Sequence, residues 1–374
     1  MERFDVCVRG AGIVGKSLAL SLARQGLQVA LLPEGTAAAR RAGEDIRAYA
    51  LNATSVDLLK RLKVWDALPA QAKTAVHDMR VQGDAASGGI DFSAWQQHVA
   101  ELAWIVDAAV LERQLEDAVR FAPHVTLADP ARDAPPAALV ALCEGKASAT
   151  RAALGVTMAR TDYGHKAIAT RLVADQGHQH TARQWFRAPD VLALLPMDAP
   201  EPGRSYALVW SLPDDRAEAL LALDDDAFEQ ALLDATDGAC GALRLAGPRA
   251  AWPLMLATAE AWCGEGWALL GDAAHVVHPL SGQGLNLGLA DVEALTRVLA
   301  DREPWRALGD EKLLRRYVRE RAAPTWAMGR LTDGLLQLFS ASEPAVKELR
   351  NRGLTLVNRL PPLKRWLASR ALGS

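Results

Sequence analysis

The segment that most restricts the fold is FDVCVRGAGIVGKSLALSLARQG, residues 4–26. A short apolar run (FDVCV) meets a glycine turn at once, and a helical pattern through Leu18, Leu22 and Ala23 stops at Gly26. VALL (29–32) reads as the next buried strand. This spacing predicts a βαβ unit with glycines at its first strand-to-helix turn, where unpaired N–H groups face a phosphate. The same letters admit two ligands. Gly10-x-Gly12-x-x-Gly15 is a dinucleotide fingerprint, whereas Gly10-x4-Gly15-Lys16-Ser17 is a nucleoside-triphosphate loop, with Lys16 on the phosphates and Ser17 on Mg²⁺. WALLGD (267–272) adds to the ambiguity, since an apolar strand ending in Asp272 suits the triphosphate reading. The positions of Gly26 and Val29 favour the dinucleotide. That reading also asks for an acid about 20 residues past the glycines, on the adenosine ribose. Pro33 holds that place and Glu34 comes one residue late, which makes Glu34 the candidate.

Composition narrows the class. The 374 residues are 50% hydrophobic and 23% charged, enough for a buried core in one large α/β unit or two joined domains. A net charge of −3 argues against nucleic acid as a partner. Cys7, Cys143, Cys240 and Cys263 form no CxxC pair, which reads as free thiols in a reducing compartment. No apolar run reaches the ~18 residues of a spanning helix. The expectation is a cytoplasmic protein. Helices are expected over 52–63, 107–121 and 284–300 and from 311 towards Pro361-Pro362; alternation and Trp/Pro/Gly punctuation over 165–213 predict antiparallel strands.

The discriminating stretch is GDAAHVVHPLSGQGLNLGLADVEAL, residues 271–295. A triphosphate site gives no reason for the glycine-rich residues beyond Asp272. PLSGQG (279–284) is a glycine-rich turn feeding a helix with Leu285, Leu289, Val292 and Leu299 on its apolar face. Such a turn lets N–H groups approach a flat ring, and the helix start favours an anion there. Asp272 can accept hydrogen bonds from a ribitol hydroxyl. This stretch closely resembles the flavin-ribitol motif of class A flavoprotein aromatic hydroxylases, the para-hydroxybenzoate hydroxylase fold. HPLSGQGLNLGLADV is similar to the ubiquinone-biosynthesis hydroxylase subgroup. DIRAYAL (45–51) matches the family's D-x-R-x-x-A-L, and HQHTARQWF (178–186), LALLPM (192–197), YALVWSLP (206–213) and WPLMLATA (252–259) come in family order. The resemblance covers nearly the whole chain.

It implies an α/β fold: a Rossmann-type FAD-binding domain (1–75, 101–164, 259–325) interrupted by a mostly antiparallel β substrate domain (76–100, 165–258), with C-terminal helices (326–374). It implies FAD held by Gly10, Gly12, Gly15, Glu34, Arg47, Asp272, Pro279, Gly282, Gln283, Gly284 and Asn286. NAD(P)H would reduce the flavin, and a flavin C4a-hydroperoxide would hydroxylate the ring of a prenylated phenol. No side chain is then required as catalytic acid or base. Two alternatives stay open, namely a small soluble phenol as substrate and a non-catalytic flavin-bound subunit of a biosynthetic complex. Asp272, His275 and His278, at steps of three, imitate a metal set, but no fourth ligand lies nearby and Pro279 interrupts any helix bearing them. The family's Asp-Gly before S-x-x-R is here CEGKASATR, with Glu144-Gly145, Ser148 and Arg151, and the segment between Val125 and Ala138 is short. A lipophilic phenol calls for a peripheral contact at the inner face of the membrane or for a ubiquinone-biosynthesis complex. Residues 341–374, with Lys347, Arg350, Arg352, Arg359, Lys364, Arg365 and Arg370 among Leu360, Leu363, Trp366 and Leu367, are the candidate docking segment or, equally, a solvated basic helix packed on the FAD domain.

Overall fold

A computed structural model describes residues 4–33, 45–83, 89–131, 134–277 and 283–340. A six-stranded sheet is built from β1 (Phe4–Arg9), β2 (Val29–Leu32), β8 (Val125–Leu127), β9 (Ala137–Leu142), β16 (Cys263–Gly264) and β17 (Trp267–Leu269) in the order β16-β17-β9-β1-β2-β8. Its pairings are parallel except the β16–β17 hairpin. Central strands of such a sheet are covered on both faces, which is why FDVCV and VALL are apolar without alternation. One face receives α1 (Ile13–Ala23), α4 (Ala108–Arg120) and α8 (Gly284–Ala300), whose Leu18, Leu22, Leu111, Leu115, Leu289 and Leu295 are buried.

A nine-stranded sheet has the order β18-β15-β10-β13-β12-β11-β5-β6, with β14 (Leu243–Leu245) beside β10. Its strands are β5 (Asp78–Gln82), β6 (Gly89–Ser93), β10 (Met158–Ala174), β11 (Thr181–Arg187), β12 (Asp190–Met197), β13 (Ser205–Pro213), β15 (Ala250–Ala259) and β18 (His275–Val276). Two helices, α6 (Asp214–Leu221) and α7 (Asp225–Ala235), cover one face, where Trp185, Leu208, Trp210 and Phe228 form a core. A third sheet, β3 (Ala48–Leu51), β7 (Ala103–Asp107) and β4 (Lys73–Val76), joins the two larger ones. Short helices α2 (Ala53–Arg61), α3 (Ala94–Gln97) and α5 (Ala149–Ala153) and the long α9 (Glu311–Ser340) complete the described chain.

The expected helices at 52–63, 107–121 and 284–300 are present within two residues of their predicted ends. Helices α6 and α7, which the sequence reading does not include, follow the 165–213 stretch expected as strands; Asp224 caps α7 through the Ala227 N–H, and three acids in a row open it. WALLGD is shorter as a strand than expected. It ends at Leu269, and Asp272 sits in a 3₁₀ turn, Gly271–Ala273, because Gly271 has φ +58° and breaks the extended run.

Candidate active site

The glycine loop is compact for steric reasons. Gly10 has φ +100°, and a Cβ there would lie 2.3 Å from the Cys143 carbonyl oxygen; a Cβ on Gly15 would lie 1.8 Å from the oxygen of Gly10. Strands β1 and β9 and helix α1 meet this closely only without side chains. Gly12 is different. It takes an ordinary φ of −73° as the N-cap of α1, and a Cβ on it would meet nothing within 4 Å. Gly284, at the start of α8, is equally open. Neither position needs glycine for the protein's own packing.

Both helix starts lack a side-chain cap, and neither has an acid in its first turn. Their free N–H groups are therefore left for an anion or a polar ring edge. The two starts are pressed together: a Cβ on Gly288 would come 2.7 Å from Val14 and 3.5 Å from the Cα of Gly271. Asn286, 4% exposed, knots α8 to the β3–α2 junction. Its Oδ1 accepts from the Asn52 N–H and the Ser55 hydroxyl, while its Nδ2 donates to Ala50 O and Gln283 Oε1. The Asn286 amide is fully engaged within the protein, so contact with a ligand would run through its backbone.

Arg47 points its guanidinium into a two-pronged pairing with Asp45, at 2.9 and 2.7 Å, and lies 5.7 and 5.9 Å from the ring centroids of Tyr49 and Trp252. Burial pushes the Asp45 carboxyl up, but hydrogen bonds from Arg47 outweigh it and hold it below the usual carboxylate range. Burial is the largest cause holding the Tyr49 phenol up at about 12; Arg47 pulls it down, and the charges of Asp45, Asp272 and Glu112 push it up. Lys16, 7% exposed, faces Glu112 at 3.4 Å. The lysine of the triphosphate reading is thus directed towards a carboxylate on α4.

The departure at Glu144 has a clear structural use. Its carboxylate accepts from Arg9 Nε (2.9 Å), Ser148 Oγ (2.6 Å) and Thr150 Oγ1 (2.7 Å), and Ser148 in turn caps α5. Burial raises this carboxyl, yet the hydrogen bonds from Ser148, Thr150 and Arg9 together lower it overall. A depressed folded-state pKa contributes stability above the unfolded value of about 4.3, and that contribution is lost as pH falls through the folded value. Glu144→Gln is expected to destabilise the protein by about 2 kcal/mol at pH 7, and by progressively less as pH falls below about 4.3 towards the lowered folded value. Thermal unfolding of both proteins across that range checks this. Beside the turn, Arg151 is buried and donates to Ala273 O and Lys146 O, tying the Glu144 loop to the Asp272 turn. Lys146 and Arg160 line an adjoining cleft of about 210 Å³ with Met158, Met255, Ala257 and Val276.

Of the expected site residues, Gly10, Gly12 and Gly15 form the turn between β1 and α1, and Asp272 lies in the turn whose Gly271 packs near Val14 and Gly288. Gln283, Gly284 and Asn286 stand at the start of α8, and Arg47 is paired with Asp45 just before β3. Glu34, Pro279 and Gly282 lie outside the described residues, as do His278 and the 341–374 segment. The buried cluster of Asp291, His275 and Arg321 behind α8 escapes sequence reasoning as a unit. Its only sequence signal is an acid on the apolar helix of 284–300.

The open glycines and uncapped helix starts suit a dinucleotide carrying a flat ring, and the chain matches the family described as FAD binding domain over residues 3–126 and 136–332. The chain belongs to this FAD-binding family. It is 30% identical to the ubiquinone hydroxylase UbiL of Rhodospirillum rubrum, over 99% of this chain and 90% of the relative. It is 29% identical to the 3-demethoxyubiquinol 3-hydroxylase of Escherichia coli K12, over 99% and 98% of the two chains. Among solved structures, p-nitrophenol 4-monooxygenase PnpA of Pseudomonas putida superimposes with a TM-score of 0.77 at 18% identity, covering 100% of this chain and 99% of that one. Pseudomonas aeruginosa PqsL bound to 2-aminobenzoylacetate gives 0.77 at 20% identity, over 95% and 100%. The expected α/β flavoprotein hydroxylase fold is the observed one. Its cofactor is FAD, and the protein is a flavin-dependent mono-oxygenase.

Proposed function

We propose that this mono-oxygenase hydroxylates the aromatic ring of a lipophilic, prenylated phenol in ubiquinone assembly, with NAD(P)H as reductant. The observation that carries the cofactor side is the pair of glycines, Gly12 and Gly284, kept bare at two uncapped helix starts where the protein's own packing leaves room for a side chain. Relatives named ubiquinone hydroxylase and 3-demethoxyubiquinol 3-hydroxylase, matched nearly end to end, support the substrate class.

FAD, when bound, supplies electron transfer from the nicotinamide and activation of O₂ for attack on an electron-rich ring. The chain's own groups bind and orient. The N–H groups after Gly10 and Gly12 receive the pyrophosphate, with Gly15 allowing α1 to approach closely. Asp272 would accept a hydrogen bond from a ribitol hydroxyl and Glu34 one from the adenosine ribose, and Arg47 would reach the dinucleotide from its pairing with Asp45. By the family resemblance, Pro279, Gly282, Gln283 and Gly284 would line the flavin ring. Lys146 and Arg160, two cations lining the adjoining cleft, are our candidates to bind the phosphates of the reductant.

No helix among the described residues is long and apolar enough to cross a membrane. A substrate of this kind then requires contact with a lipid surface or a biosynthetic complex, for which residues 341–374 are our candidate. Deleting them is expected to reduce sedimentation with anionic liposomes several-fold; unchanged binding sinks that assignment.

The function is tested on purified protein. Absorption near roughly 370 and 450 nm, bleached by NADPH without O₂, then a hydroxylated product from a prenylated phenol in air, is the expected result. A yellow protein that oxidises NADPH but converts only short soluble phenols overturns the substrate class.

A further inference from the structure

A fully buried carboxylate with three polar partners lies behind the proposed cofactor site. Asp291, on α8, is 0% exposed. Its Oδ2 accepts from the Gly271 N–H at 3.0 Å and lies 2.6 Å from His275 Nε2, which makes that ring nitrogen a donor to it; its Oδ1 accepts from Arg321 Nε at 2.7 Å. Burial pushes this carboxyl up, while His275 and Arg321 outweigh burial and keep it ionised. The partners come from three places: the turn carrying Asp272, strand β18 just before the 278–282 segment, and helix α9. Arg321 also reaches Leu287 O, and Tyr317, one turn earlier, donates to Leu269 O at the end of β17.

A fully buried carboxylate is costly to keep unless its partners are held in place, and such a group is poorly explained by stability alone. The fold could have closed this junction with an apolar side chain. What a carboxylate adds is direction. It fixes the Gly271 N–H, and with it the 3₁₀ turn that carries Asp272, against the same helix whose uncapped start would face the flavin ring. We infer that Asp291 is a positioning residue for FAD, acting through the Gly271–Asp272 turn with Arg321 and His275 as its supports. The inference rests on the reading of Asp272 as a cofactor ligand.

The test is a double-mutant cycle on FAD affinity, read by flavin fluorescence quenching on titration into the full-length apoprotein, with visible circular dichroism of the bound flavin. Asp291→Asn keeps the size and one acceptor but removes the charge. It is expected to raise the FAD Kd about tenfold and alter the visible dichroism; in an Asp272→Ala background the added effect should be about twofold or less. His275→Gln, which cuts one arm only, should give a smaller change of the same kind and serves if Asp291→Asn does not fold. A purely structural role predicts a lower apoprotein melting temperature with Kd and dichroism unchanged, and that result, in whichever variant folds, overturns the inference. So does full additivity with Asp272→Ala. If Asp272→Ala itself leaves the Kd unchanged, the reading of Asp272 falls and the inference with it. If Asp272→Ala weakens FAD and the Asp291 and His275 variants do not, only the inference falls.

Discussion

Gly12→Ala is expected to fold as the parent does but bind FAD more weakly, whereas Gly15→Ala is expected to lose stability as well as affinity. The contrast is large because the two glycines exist for different reasons. At Gly12 a new Cβ meets no protein atom and the backbone angle is ordinary, so apoprotein stability should stay within about 0.5 kcal/mol of the parent. The methyl group then occupies the space that a pyrophosphate needs to reach the N–H groups of α1. Overfilling of this kind costs about 1–3 kcal/mol, a roughly five- to 150-fold rise in Kd. At Gly15 the new atom would lie 1.8 Å from the backbone oxygen of Gly10, which no rotamer change relieves. Helix α1 must move off β1, at a cost of about 3 kcal/mol or more. Apoprotein thermal melts and FAD titrations on both variants separate the two effects. Equal destabilisation by both would mean that Gly12 is structural and would remove the main support for the cofactor site.

The second large effect is expected at Arg171. This β10 side chain, nearly buried, donates one nitrogen to both Arg47 O and Asp107 Oδ2 at 2.9 Å, and the other touches Met197 Sδ. It therefore joins the nine-stranded sheet to β7 and to the segment carrying Arg47. Removing it leaves Asp107 without its cation and the Arg47 carbonyl without this donor. Arg171→Met should cost about 3 kcal/mol in urea unfolding, at the low end for a broken buried pair because Asp107 retains partial exposure. It should also weaken FAD binding by releasing Arg47. Arg171→Lys restores charge but not the fork, so it should recover less than half of the loss. A loss under about 0.5 kcal/mol would show that the sheets are held together elsewhere.

How much of this is legible in the sequence depends on whether local chemistry or distant partners decide a residue's place. The βαβ start is legible because FDVCV, the three glycines and VALL carry their own period and punctuation. Helices α2 and α4 are legible from Asn52 and Asp107, each a capping residue before an amphipathic run. Helices α6 and α7 are not, because the expected substrate domain is mostly β and α6 has only a weak start signal, with no side-chain cap at Pro213. The site is legible where a motif names it, as in GAGIVGKS and GDAAH. Asp291, Arg171 and Arg151 are not, since their roles come from partners 16 to 124 residues away that no local pattern announces. Glu144 reads as a deviation in the sequence, and only the geometry shows its carboxylate accepting from three donors.

The strand order of the six-stranded sheet also bears on when the protein can hold its cofactor. Strands β9, β1, β2 and β8 lie side by side and are all made within the first 142 residues, so the glycine loop and its sheet can form early in synthesis. The other jaw, from β17 through the Gly271 turn to Asn286, is delivered only after the entire nine-stranded sheet except β18 has been made. Asn286 then ties back to Asn52, 234 residues upstream. A nascent chain thus carries half a nucleotide site through most of its elongation, and capture of FAD becomes a closing act of maturation instead of a scaffold around which the protein folds.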